Sequence, residues 1–137
     1  GLRVVGGVGL GCTVNGQPCR VTDGDGLEGC LVLASRSEHR RGEWARFHGR
    51  GFTVETIGSV AHKLAVVAAG EADATWTLRH KNEWDIAAGV ALLKAAGGVG
   101  LLPDGSEPRF NQPEPLNDAL SGIKLSLARA GTTVAYS

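Results

Sequence analysis

Residues 82–89 read Asn-Glu-Trp-Asp-Ile-Ala-Ala-Gly, and an apolar stretch continues from them to a Gly-Gly pair at 97–98. After the tryptophan, Ile86, Val90 and Leu93 recur at the three- and four-residue spacing of one helix face. A glycine pair is a usual signal for a helix C-terminus. The stretch therefore predicts a helix with one buried face, and the other elements are interpreted relative to it.

Two carboxylates, Glu83 and Asp85, fall in the first turn of this predicted helix. Backbone N–H groups in that turn have no partners within the helix, and the positive end of the helix dipole favours negative charge. One interpretation is that they cap the helix, with Asn82 and Asp85 forming a variant of the capping box. The other is a metal-binding or catalytic role, and the residue pattern alone leaves both open.

The same stretch resembles a known family signature. The pattern Trp-Asp-x-Ala-Ala-Gly at 84–89, followed by a helix and by Ala-Ala-Gly-Gly at 95–98, is similar to the C-terminal signature of the inositol monophosphatase family of metal-dependent phosphatases. Upstream, residues 58–64 and 67–73 resemble the Gly-Ser helix of that family and the turn that leads back into its sheet. Together these blocks cover residues 52–105 in matching order and spacing.

This resemblance implies an α/β chain with the layered α-β-α fold of the sugar phosphatases. It also implies that Asp85 binds a catalytic Mg²⁺ ion, and that Gly58, Ser59 and Val60 contact the non-phosphate part of the substrate. The residue pattern itself predicts Ser59 as the N-cap of a helix. The two roles are compatible, because a capping serine can still line a pocket.

Lys63 and Glu83 are second candidates for the substrate pocket. Lys63 lies one turn into the helix that Ser59 begins, where its side chain either reaches the pocket or extends along the helix to solvent. Glu83 is separated from Asp85 only by the tryptophan of the signature.

Residues 11–21 carry Asn15 and Gly16 between two strand-like runs, a strong short signal for a β-hairpin. The segment is similar to a hairpin near the middle of family members. The resemblance thus implies that residues 1–137 form the C-terminal lobe alone and that its partner, the N-terminal lobe with the other metal-binding motifs, is missing. The Thr-Asp-Gly-Asp-Gly sequence at 22–26 does not match the family's Asp-Pro-x-Asp-Gly-Thr turn. Because Mg²⁺ takes about six oxygen ligands, we expect this lobe to be inactive alone.

The composition narrows the function classes. With 137 residues, of which 42% are hydrophobic, the chain is long enough for one domain with a real core. Fourteen basic and fourteen acidic residues leave no net charge, so nothing indicates a nucleic-acid polymer or a membrane surface as partner. Cys12, Cys19 and Cys30 lack the paired spacing of a metal site and are interpreted as reduced thiols of a cytoplasmic protein. We also expect a homodimer, because a lobe whose sheet continues elsewhere exposes an apolar edge.

The remaining segments predict a sheet and its connections. A continuous apolar run at 29–34 predicts a strand buried on both faces. Residues 38–48 predict a polar helix with Trp44 and Phe47 on its buried edge. Residues 119–130 predict a last helix. The other predicted elements are strands at 52–57, 72–78, 99–102 and 132–136 and a helix at 59–69.

The function that the resemblance implies is a Mg²⁺-dependent phosphomonoesterase acting on a small phosphorylated metabolite of the inositol or sugar phosphate type. The metal ion would lower the pKa of a bound water, and no covalent nucleophile is implied. Ser35, Arg36 and Ser37 are similar to the family branch that acts on 3′-phosphoadenosine 5′-phosphate, although a turn followed by a helix N-cap explains them equally well. Inositol-specific members carry a carboxylate about seven residues before the metal-binding aspartate, where it accepts a hydrogen bond from a sugar hydroxyl. Ungapped counting places Leu78 at that position, which argues against inositol phosphate unless a gap moves Glu83 or another group into the role. A third alternative is a non-catalytic interaction domain that keeps the fold.

Overall fold

The elements described here come from a computed structural model, which describes residues 1–7, 9–23, 27–76, 78, 83–101 and 126–128; for residues 83–85 and 126–128 it describes the backbone. In chain order they are β1 (Val4–Gly7), β2 (Gly11–Val14), β3 (Gln17–Cys19), β4 (Leu31–Ser35), α1 (Arg36–Arg40), a 3₁₀ turn (Ala45–Phe47), β5 (Thr53–Ile57), α2 (Val60–Ala68), β6 (Ala74–Trp76), α3 (Glu83–Ala95), β7 (Val99–Leu101) and β8 (Ser126–Ala128). None of the helices in these ranges combines the length and the apolar character needed to cross a bilayer.

The strands β1, β2 and β3 form an antiparallel sheet in chain order. In the turn between β2 and β3, Asn15 has φ 49° and Gly16 has φ 82°, the left-handed pair whose twist matches the strands of a tight hairpin. Asn15 also holds the start of β1, because its N–H donates to Arg3 O over 2.7 Å and its Oδ1 accepts from Arg3 N–H over 2.8 Å. The predicted hairpin is confirmed.

The second sheet has five strands in the order β5-β4-β6-β8-β7. The strand β4 is parallel to β5 and β6, whereas β8 is antiparallel to both β6 and β7. Val32, Leu33 and Ala34 of β4 are at most 1% exposed. Leu33 belongs to the core around the helices, and Val32 and Ala34 belong to a second core that contains aromatic residues. The strand that was predicted to be buried on both faces is confirmed.

The helices α2 and α3 lie between the two sheets. α3 packs against β1, β2 and β7, and α2 packs against β6 and β8. Leu64 from α2 and Ile86, Val90 and Leu93 from α3 are each at most 3% exposed in the shared core. The chain therefore has a layered α/β fold, as predicted, and the buried face of α3 is the one that its apolar spacing indicated.

The helix α3 ends where the glycine pair predicted. Gly97 has φ 89° and its N–H donates to Lys94 O over 3.0 Å, while the N–H of Gly98 donates to Leu93 O over 2.8 Å. In this Schellman arrangement a left-handed residue lets the chain satisfy two carbonyls that the helix leaves without partners. The predicted end of α2 is confirmed in the same way at Gly70, whose φ is 79°.

The polar helix predicted at 38–48 is wrong in its extent. α1 has five residues, Gly42 then adopts φ 80°, and only a 3₁₀ turn follows. This break carries Trp44 over the sheet, where its ring stacks on Trp76 at a centroid distance of 5.1 Å. Glu38, one of the polar residues of the segment, is 1% exposed and accepts a hydrogen bond from Trp44 Nε1 over 3.0 Å. Tertiary packing thus overrides the local helical pattern.

The last helix predicted at 119–130 is wrong at 126–128, which form the strand β8. This strand lies between β6 and β7 and pairs antiparallel with each of them. Without it, the facing edges of both neighbours would lose backbone hydrogen-bond partners, and that loss outweighs a local preference for helix. The rest of the predicted helix and the strand predicted at 132–136 lie outside the described residues.

The packing of α3 on α2 can be tested at Gly89, where overpacking and helix propensity predict opposite changes in the free energy of unfolding. A Cβ atom built on Gly89 would lie 2.7 Å from Leu64 Cβ, so Gly89→Ala is expected to lower the free energy of unfolding by about 1–3 kcal/mol through overpacking. Helix propensity alone predicts a gain of about 0.5–1 kcal/mol. Urea unfolding of the chain measures the difference.

The control for this prediction is Ala88→Gly, at an exposed position of the same helix. It is expected to lose about 1 kcal/mol from helix propensity alone. A Gly89→Ala chain that unfolds at a higher urea concentration than its parent would contradict the close approach of the two helices.

Candidate active site

The carboxyl ends of β4 and β5 lie side by side and form one wall of the candidate site. Ser35 is opposite Ile57 at the last register position of these parallel strands, so the segments that begin at Arg36 and Gly58 leave the sheet together. Arg36 Nη1 lies 3.7 Å from the position that a Cβ would occupy on Gly58. The guanidinium group therefore covers the glycine at the edge where open α/β sheets hold their ligands.

Ser59 is the N-cap of α2, as predicted. Its hydroxyl accepts a hydrogen bond from the N–H of His62 over 3.4 Å. Its backbone, at φ 66° and ψ 124°, lies in a region that non-glycine residues rarely adopt, and such strain persists only where the surroundings hold it. Ser59 is exposed, while Gly58 and Val60 are half-buried. The three residues predicted to contact the substrate thus surround an accessible helix N-terminus.

Ser35 caps the short helix α1. Its hydroxyl accepts a hydrogen bond from the N–H of Glu38 over 3.4 Å and lies 3.0 Å from the hydroxyl of Ser37. The predicted N-cap is confirmed at Ser35, but the predicted turn before it is wrong, because β4 ends at Ser35 and α1 begins at Arg36. The side chain of Arg36, between the two serines, is exposed at the same edge as Ser59.

The first turn of α3 lies at this edge as well. β7 follows α3 closely and runs in the direction of β6, because both pair antiparallel with β8. A helix of 13 residues is about 20 Å long, so α3 crosses the whole sheet and starts at its carboxyl edge. Leu64 in the middle of α2 lies against Gly89 in the middle of α3. The two helices therefore begin at the same level.

The backbone thus brings Glu83 and Asp85 to the edge where Ser59 lies. Both are in α3, as predicted, but their side chains lie outside the described residues. The metal-binding role of Asp85 and the substrate-binding role of Glu83 stay predictions.

Lys63 is buried, with 3% of its surface exposed. Of the two positions considered for this side chain, extension along the helix to solvent is therefore wrong. Its backbone N–H donates to Ser59 O over 3.3 Å, so it belongs to the first turn of α2. Burying a lysine side chain costs free energy. Lys63 is nevertheless buried, one helical turn from the N-cap Ser59. Contact between Lys63 and a substrate stays a prediction.

The carboxylate residues in the first turn of α3 are of a type suited to bind Mg²⁺, but two residues do not make a complete site. Carboxylate oxygens are the ligands that Mg²⁺ prefers, and the first turn of α3 supplies two residues of that type. Within the described ranges, however, no cluster of three or more His, Cys, Asp or Glu residues could hold a metal ion. Since Mg²⁺ takes about six oxygen ligands, a metal site at Asp85 stays a prediction that requires further ligands.

The role of Glu38 was not predicted from the sequence. Its Oε2 accepts from Trp44 Nε1 and its Oε1 accepts from the N–H of Leu78 over 3.3 Å. Glu38, a buried carboxylate from α1, thus holds the backbone of Leu78. The correspondence of Leu78 to the carboxylate position of inositol-specific members stays a prediction. Because both oxygens of Glu38 are engaged, we interpret it as a positioning residue for the chain after β6. No local pattern marks it, since it lies within a polar stretch.

The fold is that of solved inositol monophosphatases. The structure superposes on the inositol monophosphatase from Anabaena with a TM-score of 0.74 and 27% identity, covering 96% of this chain and 52% of that one. In sequence the chain is 31% identical over 105 residues to an inositol monophosphatase from Mesembryanthemum crystallinum. It is 35% identical over 94 residues to a fructose-1,6-bisphosphatase/inositol-1-monophosphatase from Thermotoga maritima.

The sequence model of the inositol monophosphatase family matches residues 3–132. The chain belongs to the inositol monophosphatase family. This is a family of metal-dependent phosphatases that act on phosphorylated small molecules. The alignment with the Mesembryanthemum relative includes 71% of this chain and 39% of that relative. The corresponding shares for the Thermotoga relative are 66% and 36%.

The strained backbone of Ser59 gives a testable difference between two N-caps. Ser59→Gly is expected to raise the free energy of unfolding by about 1 kcal/mol, because relief of about 1–3 kcal/mol of strain exceeds the lost cap and the added flexibility. Ser35 caps α1 with an ordinary φ of −65°, so Ser35→Gly is expected to lower it. Equal losses for both variants in urea unfolding would show that Ser59 is not strained.

Proposed function

We propose that this chain carries part of the active site of a Mg²⁺-dependent phosphomonoesterase, which hydrolyses a small phosphorylated metabolite of the inositol or sugar phosphate type. The observation that supports this is the common edge at which α2 and α3 begin, one after Gly58 and Ser59 and the other with Glu83 and Asp85. Free N–H groups at helix N-termini bind phosphate oxygens. The chain spans 39% and 36% of the two relatives named above, so the activity is proposed for a whole protein of this family and not for these residues alone.

Each site residue has a proposed part in this reaction. Asp85 holds the metal ion, and the helix N-terminus beneath it favours its negative charge. When bound, the ion would act as a Lewis acid that lowers the pKa of water at neutral pH. Arg36, whose guanidinium group lies beside Gly58, adds a positive charge next to the pocket. The residues proposed to line the substrate pocket are Gly58, Ser59, Val60, Lys63 and Glu83.

The remaining metal ligands are proposed to come from the N-terminal half of the family fold, which would associate with this lobe. The assembled protein is proposed to be a cytoplasmic homodimer. Val5 in β1 and Leu10 in the turn after it are 51% and 88% exposed. Exposed apolar side chains of this size support an additional contact surface on the antiparallel sheet.

Asp85→Asn tests the metal-ligand assignment in the protein expressed from the complete reading frame. The amide keeps the shape and the capping ability of the side chain but loses the charge that Mg²⁺ requires. We expect phosphate release to fall by at least about a hundredfold at ordinary Mg²⁺ concentrations, as for loss of a transition-state interaction of about 3 kcal/mol. The melting temperature should not change.

Glu71→Gln is the matched control, because Glu71 is an exposed carboxylate just beyond the far end of α2. Its turnover should equal that of the parent. Near-normal turnover of Asp85→Asn would leave Asp85 as a helix cap. An absence of phosphatase activity in the parent itself, with all candidate substrates, would favour the non-catalytic interaction domain.

A second candidate function is a 3′(2′),5′-bisphosphate nucleotidase acting on 3′-phosphoadenosine 5′-phosphate. The position of Arg36 supports it, because Nη1 would lie 3.7 Å from a Cβ atom built on Gly58. This position brings a guanidinium group, a good ligand of a second phosphate, beside the proposed pocket. The apolar Leu78 supports it as well if, as ungapped counting indicates, it occupies the position of the inositol-specific carboxylate.

The two substrates are distinguished by Arg36→Ala. If the second phosphate binds Arg36, kcat/KM for 3′-phosphoadenosine 5′-phosphate should fall by about 10- to 100-fold, as for loss of a charged hydrogen bond worth about 1.5–3 kcal/mol. The value for inositol 1-phosphate should change little. Arg40→Ala, at an exposed position of the same helix, is the control. Equal losses for both substrates would contradict the nucleotidase.

A further inference from the structure

Two thiols face each other across the β2–β3 hairpin. Cys12 is opposite Cys19 in the strand register, and the thiol of Cys19 donates a hydrogen bond to Cys12 Sγ over a sulfur–sulfur distance of 3.2 Å. The two-residue turn at Asn15 and Gly16 fixes this register, since a slip by one residue would place the two side chains on opposite faces.

The two thiols differ in access. Cys12 is 6% exposed and belongs to the core around α2 and α3, whereas Cys19 is half-buried at the margin of that core. Cys30, the third cysteine, lies in the other core cluster at 1% exposure. A reagent from solvent therefore reaches Cys19 first, and only Cys12 is near enough to react with it afterwards.

We propose that Cys12 and Cys19 form a reversible disulfide by exchange with a low-molecular-weight disulfide, with Cys19 as the entry thiol and Cys12 as the resolving thiol. Directly opposite residues of antiparallel strands have Cα atoms about 4.5–5.5 Å apart. This separation lies within the range of about 4.4–6.8 Å that disulfides span. The bond therefore requires the sulfur atoms to approach, while the strands keep their pairing.

The exchange has two balanced steps. Cys19 gives its proton to solvent, its sulfur attacks one sulfur of the small disulfide, and the released small thiolate takes up a proton. Cys12 then loses its proton, its sulfur attacks Cys19 Sγ, and the second small thiolate leaves and is protonated. The sum converts two protein thiols and one small disulfide into one protein disulfide and two small thiols.

The low reactivity of the Cys19 thiol makes this exchange slow. Burial, and next the hydrogen bond to Cys12, raise the pKa of Cys19 to about 11. Little of it is thiolate at neutral pH, and the thiolate is the nucleophile in exchange. The exchange is therefore slow, and the pair responds to sustained rather than brief oxidation. This inference does not depend on the proposed phosphatase activity.

The test uses the full chain and mixtures of oxidised and reduced glutathione. After equilibration the remaining thiols are alkylated and the protein is cleaved with trypsin. Arg3 and Arg20 flank both cysteines of the pair, whereas Cys30 falls in the next peptide. We expect the peptide 4–20 to lose two hydrogens and both alkyl groups and to carry no glutathione, while the Cys30 peptide stays alkylated.

Variants separate the two roles. Cys12→Ser removes the resolving thiol, so glutathione should remain attached to Cys19, and Cys19→Ser should leave Cys12 without an adduct. Circular dichroism shows that each variant is folded. The same titration in urea gives the reference, and we expect the folded chain to favour the disulfide at least tenfold over the unfolded chain.

Three results would overturn the proposal. One is a wild-type chain in which both thiols stay alkylable at every glutathione ratio. Another is a glutathione adduct on Cys19 that persists although Cys12 is present. The last is equal disulfide formation in folded and unfolded chains, because the hairpin geometry would then contribute nothing.

Discussion

The close contact between α2 and α3 determines where the other parts of this fold stand. Gly89 has no side chain where Leu64 crosses it, so the two helices pack as a pair that is thin enough to lie between two sheets. Because the helices run in the same direction, their N-termini meet at one edge of the five-stranded sheet. The two N-termini lie together at the candidate site because α2 and α3 pack this closely at Gly89. Gly89 itself lies about two helical turns from that edge.

Elements that rest on local physics could be predicted from the sequence. The hairpin at Asn15 and Gly16, the apolar strand β4 and the glycine ends of α2 and α3 each follow from turn chemistry or from periodicity within a few residues. Ser59 was predictable as an N-cap because a serine between a strand and an apolar helix has few other roles. Local signals of this kind fix single elements, whereas the layered order was implied by the family resemblance.

What could not be predicted depends on contacts between distant segments. Glu38 reads as one polar residue among many, and only the ring of Trp44 and the backbone of Leu78 make it a buried carboxylate. The strand β8 forms by pairing with β6 on one side and β7 on the other, and neither strand is adjacent to it in the sequence. The position of Arg36 against Gly58 depends on the register of two parallel strands, which no local pattern reveals.

The charges at the candidate edge explain why a divalent ion fits the proposed function. Two helix N-termini and Arg36 attract a phosphate group, but the first turn of α3 brings two carboxylates to the same edge. Two unit charges about 4 Å apart at a protein surface interact by about 4 kcal/mol, so one uncompensated carboxylate at that distance would weaken phosphate binding by about a thousandfold. A divalent cation between carboxylate and phosphate reverses this repulsion. If this turn takes part in phosphate chemistry, it therefore needs a metal ion, and this requirement is the physical reason for the proposal that Asp85 is a metal ligand.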